Sequence, residues 1–215
     1  MKYLVRVGGV LVGMLVMLLG GCQTAAPPTT EAPWAEQLRI ATAAATAQDP
    51  AAVIAGIEAK ALVTETLDPA MVLVITTFRT SDTTTMFFKH RSTDPDATIA
   101  YESTQIGAAP SGLTPPMIAT IQQSPIAVLQ TTWDEGQRYL AGIATESDFP
   151  VRVELATNTP AHPGLPVVPP DLSRPVAWKV TYTAITQSPI RAHMLVFWVD
   201  PTSGDVLFQE EISRP

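Results

Sequence analysis

The sequence predicts an α+β protein built as two tandem modules, each a helix followed by about four antiparallel strands. Three features carry that reading. Ala-rich helical stretches open two halves of the chain, at residues 34–61 and 117–144, and short apolar runs of strand character follow each. The later strands share a spacing: Val74 precedes Asp94-Pro95 by 20 positions, and Val180 precedes Asp200-Pro201 by 20. With 215 residues, 46% of them hydrophobic, the chain has enough apolar surface for a core, which excludes wholesale disorder.

The first element is an address rather than part of the fold. Lys2 and Arg6 are followed by an uncharged run over residues 7–21, too short for a membrane span and suited to the apolar region of a signal peptide. The run closes on Leu19-Gly20-Gly21-Cys22, which resembles the bacterial lipobox: a branched apolar residue, two small residues and the cysteine that becomes acylated. The only cysteine of the chain falls at that position. The resemblance implies that residues 1–21 are a signal peptide, that Leu19, Gly20 and Gly21 are read by the signal peptidase, and that Cys22 carries fatty acid such as palmitate. Two or three acyl chains anchor stably where one does not. The expected location is therefore the extracytoplasmic side of the cell membrane or of an outer membrane. Residues 22–33, rich in Pro, Thr and Ala, read as the lipidated cysteine and an extended tether.

Residues 34–106 form the expected first module. Helix is expected from Trp34 to about Ala61, interrupted at Asp49-Pro50, where Asp can cap and Pro can open a new helix. The Pro- and Gly-rich stretch 107–116 reads as a linker. Residues 117–215 form the expected second module. Its helix restarts at Ser124-Pro125 and sets Ile126, Leu129, Trp133, Leu140 and Ile143 on one face, interrupted by Gly136. Strands are expected at 151–156, 177–185, 192–199 and 205–212. The near-continuous apolar run from Met194 to Val199 marks a central one. Asp200-Pro201-Thr202-Ser203-Gly204 reads as a hairpin turn, with Pro fixing φ and Gly taking the left-handed position.

An internal duplication accounts for the shared spacing. It aligns Ile54-Ala55-Gly56-Ile57 with Leu140-Ala141-Gly142-Ile143, residues 63–67 with 151–155, and Ile99-Ala100-Tyr101 with Val206-Leu207-Phe208. The Pro-rich stretch 157–175 occurs only in the second copy. It is the expected partner-binding loop, with Asn158, His162, Leu165 and Val168 as candidate contacts.

The C-terminal quarter, over residues 176–208, resembles a PepSY-type, cystatin-like extracytoplasmic module. Trp178-Lys179-Val180 stands for the aromatic-x-Val strand, and Val199-Asp200 ends the apolar strand that follows. Pro201-Thr202-Ser203 is the three-residue turn, Gly204 the turn glycine, and Val206-Leu207 opens the last strand. The first half lacks the turn glycine at Asp94-Pro95-Asp96-Ala97. The resemblance implies non-catalytic domains tethered outside the membrane, some of them in protease propeptides and proposed to modulate proteases.

Charge and chemistry narrow the function further. The formal net charge is −7, and loss of Lys2 and Arg6 with the signal peptide leaves 11 bases against 20 acids, which disfavours nucleic acid as a partner. Asp94-Pro95-Asp96-Ala97-Thr98 spells the Asp-x-Asp-x-Thr of haloacid-dehalogenase-type phosphoryl transfer. That chemistry needs its first Asp at the tip of a buried parallel strand, however, and here a hairpin turn is expected. His90, His162 and His193 show no metal-ligand spacing, and no nucleophile elbow or phosphate loop occurs. Trp133, Trp178 and Trp198 read as core. No cofactor, metal or catalytic set is expected. The expected function is a membrane-anchored envelope lipoprotein that binds another envelope protein, with an exported protease in view. The alternative is a carrier that encloses an apolar small molecule or lipid between helix and sheet.

Overall fold

The structure, a computed structural model of the chain, describes residues 30–62, 66–104, 111–143, 151–158, 167–169, 172–187 and 190–214. Leu19, Gly20, Gly21, Cys22, His162 and Leu165 lie outside them, as do residues 107–110 of the linker.

Helix α1, Trp34–Gln48, turns Trp34, Gln37, Ala41 and Ala45 inward. Small residues at 41 and 45 let the helix lie close to the sheet. It does not continue past Asp49: the Asp49 carboxylate accepts a hydrogen bond from the Ala51 amide at 2.8 Å, and the Ala52 amide donates to the Asp49 carbonyl at 3.0 Å. Strand β1, Val53–Ala61, follows. The expectation of helix to Ala61 is thus overturned, because Asp49-Pro50 closes a turn instead of opening a helix. In β1 the sequence alternates: Ile57, Ala59 and Ala61 are buried, while Glu58 and Lys60 are less so. After a 3-10 turn at Pro69–Met71 come β2, Val72–Arg79, β3, Thr84–Arg91, and β4, Asp94–Thr104. Helices α2, Pro115–Thr120, and α3, Pro125–Gly142, precede β5, Val151–Thr157, β6, Val176–Gln187, β7, Ile190–Val199, and β8, Val206–Arg214. Ser124 caps α3 by accepting from the Ala127 amide at 3.0 Å, with Pro125 behind it in the first turn.

All eight strands belong to one antiparallel sheet in the order β4-β3-β2-β1-β5-β6-β7-β8. The expectation of two tandem modules is overturned by the pairing at its centre. There β1 and β5 join through Glu58↔Glu154, Ala59↔Val153, Lys60↔Arg152 and Ala61↔Val151. A helix and a four-stranded meander do occur twice in the chain, but the two meanders share one sheet. A single buried cluster also runs beneath both helices, from Trp34 and Phe78 through Leu129 and Val153 to Trp178 and Val199. Edge-to-face contacts bind it, Phe78 with Phe88, Trp133 with Tyr182, and Trp34 with Trp178 across the two halves.

Val74 and Val180 occupy β2 and β6, the second strand of each meander. Equating Ile54-Ala55-Gly56-Ile57 with Leu140-Ala141-Gly142-Ile143, by contrast, matches a strand to a helix end, since α3 stops at Gly142. Thr66 and Leu67 precede the 3-10 turn and lie in no strand. The expected turn at Asp94-Pro95-Asp96-Ala97 is also corrected. The chain turns at Ser92-Thr93, and Asp94 already pairs with Arg91.

Candidate functional site

The helices cover one face of the sheet, here the inner face. On the outer face, over β5, β6 and β7, a second and smaller cluster forms from Ala156, Val168, Ala177, Val196 and Trp198, with Leu172, Met194 and Ile212 packed against it. Val168 belongs to the stretch 157–175, whose ends are tied down. The Val168 amide donates to the Thr157 carbonyl at 3.1 Å, and the Asn158 amide to the Pro175 carbonyl at 3.0 Å. Of the candidate contacts in that loop, Asn158 is exposed, and Val168, at 3% exposure, is packed into the molecule. As a surface contact Val168 is therefore corrected. It closes the outer cluster, because an apolar side chain next to β5 gains more from covering Ala156 and Trp198 than from water.

Of the large apolar side chains that remain open among the described residues, Val53, Leu62 and Met71 lie in the first half, and the other three lie in β8 and beside Val168. Phe208 is 45% exposed and lies directly opposite Trp198 in the β7–β8 ladder; Val206 is 43% exposed and Val167 51%. Lys179 faces the other side of Trp198, its Nζ 5.8 Å from the ring centroid. Beyond Lys179 the outer face is charged. Arg152 bridges Glu58 at 3.2 Å and Glu154 at 3.5 Å, and Lys60 meets Glu58 at 2.9 Å. Burial raises the Glu154 carboxyl above its ordinary range, against the pull of Arg152 and Lys179. β8 is the last strand of the sheet, and its outer edge pairs with no strand among the described residues.

The β7–β8 turn holds the start of β8 in place. Asp200 is buried and accepts from the Thr202 amide at 2.7 Å and the Ser203 amide at 3.2 Å, while Arg174 reaches its other oxygen at 2.9 Å. The Pro201 carbonyl accepts from the amides of both Gln122 and Gln123 at 2.9 Å, which locks the turn to the approach to α3. Gly204 has φ +82°, a left-handed conformation in which a side chain is strained.

Among the described residues, none of those weighed for chemistry comes together with another to form a catalytic or metal-binding set. His90 is buried beneath α1, where its Nε2 lies 3.0 Å from Gln37 Oε1. The Gln37 amide nitrogen donates to the Ala32 carbonyl at 2.8 Å and to Glu31 at 3.1 Å, so its oxygen faces His90 and the His90 proton sits on Nε2. Nδ1 is buried without a hydrogen-bond partner among the described residues, and burial lowers the His90 pKa. Glu31 accepts further from Ser124 Oγ at 3.1 Å, and burial raises its carboxyl pKa. This network ties the segment before α1 to β3 and to the cap of α3; it is a structural tie. His193 lies 3.2 Å from Ser213 Oγ near the far end of β7. Asp94 and Asp96 open β4, an antiparallel strand. Among the described residues no three His, Cys, Asp or Glu side chains could hold a metal ion, and no helix is long and apolar enough to cross a membrane. Sequence reasoning missed Phe208 and Val206, because the pattern that marks a strand does not say which strand lies at the edge.

Comparison with protein-family models, curated proteins and solved structures found no match.

Proposed function

We propose that this protein is a cell-envelope lipoprotein, anchored by acyl chains on Cys22, whose folded part binds another envelope protein without catalysing a reaction. The PepSY-type resemblance of residues 176–208 makes an exported protease the first partner to seek. The observation that supports binding is the pair of open apolar side chains, Val206 and Phe208, on the edge strand β8, where Phe208 is braced by the buried Trp198. Exposed apolar groups on a rigid support suit a protein interface, where a few anchored side chains supply most of the affinity. The carrier reading gains nothing comparable. Between α3 and β6 the space is filled to the point that a Cβ on Gly136 would stand 2.2 Å from the Tyr182 ring.

The test is cross-linking in the native membrane of the lipidated chain, tagged within the tether, followed by mass spectrometry. A reproducible envelope protein is expected with wild type and is lost from Phe208→Ser. Labelled palmitate is expected to enter wild type and not Cys22→Ala. Co-purification of a lipid or other apolar molecule, with no protein captured, would overturn the binding reading in favour of a carrier.

A further inference from the structure

We propose that the outer edge of β8 takes up an extended segment of the partner protein, one that presents an apolar, a basic and a second apolar side chain on one face and a further basic side chain on the other. The inference rests on the binding reading above and adds to it the mode and chemistry of the contact.

An edge strand presents a row of unpaired backbone donors and acceptors, and proteins that avoid pairing guard such edges with proline, charged side chains (lysine above all) or bulges. The two edges of this sheet differ in that respect. β4 begins Asp94-Pro95 and shifts register against β3 between Lys89 and Arg91. β8 runs nine residues, Val206-Leu207-Phe208-Gln209-Glu210-Glu211-Ile212-Ser213-Arg214, without proline or lysine, and its acidic charges, Glu210 and Glu211, repel an acidic strand and admit a basic one. Its one register shift falls at Trp198/Val199, near the start of the ladder. It is also held rigidly. Seven consecutive residues of β7, Ala192 to Trp198, pair with it in unbroken register, and Gln209 Nε2 donates to Glu135 of α3 at 2.7 Å.

The side chains along this edge define what fits. Phe208, Glu210 and Ile212 oppose Trp198, Val196 and Met194 on the outer face, whereas Gln209 and Glu211 oppose Phe197 and Leu195 on the inner face. One carboxylate thus stands on each face, and among the described residues neither Glu210 nor Glu211 has an ion-pair partner. A strand laid along β8 places alternate side chains against Phe208, Glu210 and Ile212. Apolar groups suit the first and last of these positions, and Lys or Arg suits the middle. A second basic group from the other face meets Glu211. Main-chain hydrogen bonds supply affinity in this mode, and the order of side chains, Val-Lys-Lys-Thr-Val when read antiparallel to β8 from Ile212 to Phe208, supplies selectivity. A second copy of the chain is the poorer occupant. Its own β8 brings the same two glutamates, its β4 opens with Asp94 and Asp96, and its net charge is negative.

The test uses the full-length lipidated chain in micelles of an uncharged detergent. Three labelled nine-residue peptides are offered: Thr-Thr-Val-Lys-Lys-Thr-Val-Thr-Thr, a permutation of it (Thr-Thr-Val-Lys-Val-Lys-Thr-Thr-Thr) that puts both valines on one face and both lysines on the other, and the first peptide with glutamate in place of lysine. Binding of the first peptide about ten-fold tighter than either control is expected. Hydrogen-exchange protection should appear on the amides of residues 206–214. The double variant E210K/E211K should lose that preference and favour the glutamate peptide, while a thermal melt checks its fold; if it fails to fold, protection in the wild type decides. Equal binding of the first peptide and its permutation, protection elsewhere than β8, or self-association through β8 would each overturn the proposal. If a partner is captured in the native membrane but cross-links equally to E210K/E211K, the edge is not the site and the binding reading survives. If no protein is captured at all, the binding reading falls first.

Discussion

Gly136 sits in the middle of α3, where helix propensity alone favours alanine by roughly 1 kcal/mol. Its environment reverses that preference. An added Cβ would lie between 2.2 and 2.5 Å from three atoms of the Tyr182 ring, which is fully buried and fixed by a 2.9 Å hydrogen bond between Tyr182 OH and Thr132 Oγ1. Gly136→Ala is therefore expected to lower stability by about 2 kcal/mol, read as a lower denaturant midpoint at unchanged slope. A rise in the midpoint would mean that the ring gives way. In the sequence this glycine reads only as a gap in an apolar helix face, since the close approach depends on a tyrosine 46 positions later. His90 makes a second residue-level case. Its pKa is lowered by burial, so the folded chain binds that proton less readily than the unfolded chain, whose histidine titrates near 6.5. Stability from a neutral His90 is present above that value and is lost as the pH falls below it. Glu31, with a raised pKa, acts in the opposite sense, its contribution being lost as the pH rises above the ordinary carboxyl range. His90→Gln keeps a donor for Gln37 Oε1 without titrating and leaves Glu31 in place. Melting between pH 7 and pH 5 should therefore decline more steeply for wild type than for His90→Gln. Parallel profiles would show that His90 is not the group responsible.

Among the elements, β1 shows how local signals mislead. Ala51, Ala52, Ala55, Ala59 and Ala61 favour helix, and Asp49-Pro50 fits a helix start as well as it fits a turn. What decides is tertiary. The segment is hydrogen-bonded on both sides, to β2 from Val53↔Arg79 to Ala61↔Val72 and to β5 at its far end, and a central strand overrides weak propensity. The alternation of Ile57, Ala59 and Ala61 with Glu58 and Lys60 was present in the chain, but small apolar residues carry it faintly. The C-terminal strands were easier to read. Valines, aromatics and a turn with both proline and glycine bound them, and they stand within about two residues of the expected positions. The same Asp-Pro pair nevertheless has two fates: Asp200-Pro201 forms a buried, fully bonded turn, and Asp94-Pro95 begins a strand. Gly204 at φ +82° makes the difference, because the first half has no residue suited to that conformation. The candidate site was legible only in part. Trp198 could be read as core from its apolar run, whereas the exposure of Phe208 depends on β8 being last in the sheet, which no local pattern encodes.

At the scale of the whole molecule the decisive feature is the seam between β1 and β5. Its four paired positions bury Ala59, Ala61, Val151 and Val153 on the inner face. The ion pair that crosses it on the outer face, Arg152 with Glu58, is exposed and worth under about 1 kcal/mol. Apolar burial therefore holds the seam. Three further ties cross between the halves: the edge-to-face contact of Trp34 with Trp178, 6.4 Å between centroids, the Glu31–Ser124 hydrogen bond, and the Leu113 amide donating to the Ile54 carbonyl at 2.6 Å. Each half alone would expose a new strand edge with an alternating apolar face and lose a wall of the shared core, the condition under which strands associate with other chains. Residues 22–110 and 111–215, produced separately, are expected to be unfolded or aggregated, and the intact chain should melt in one transition by both tryptophan fluorescence and circular dichroism. Two independently folded halves, or two resolved transitions, would show that the seam contributes little. A single transition has a consequence for binding as well. An extended segment added to β8 would lengthen a sheet that unfolds as one body, so its stabilising effect should reach α1 and β4 at the opposite edge and raise the melting temperature of the whole chain.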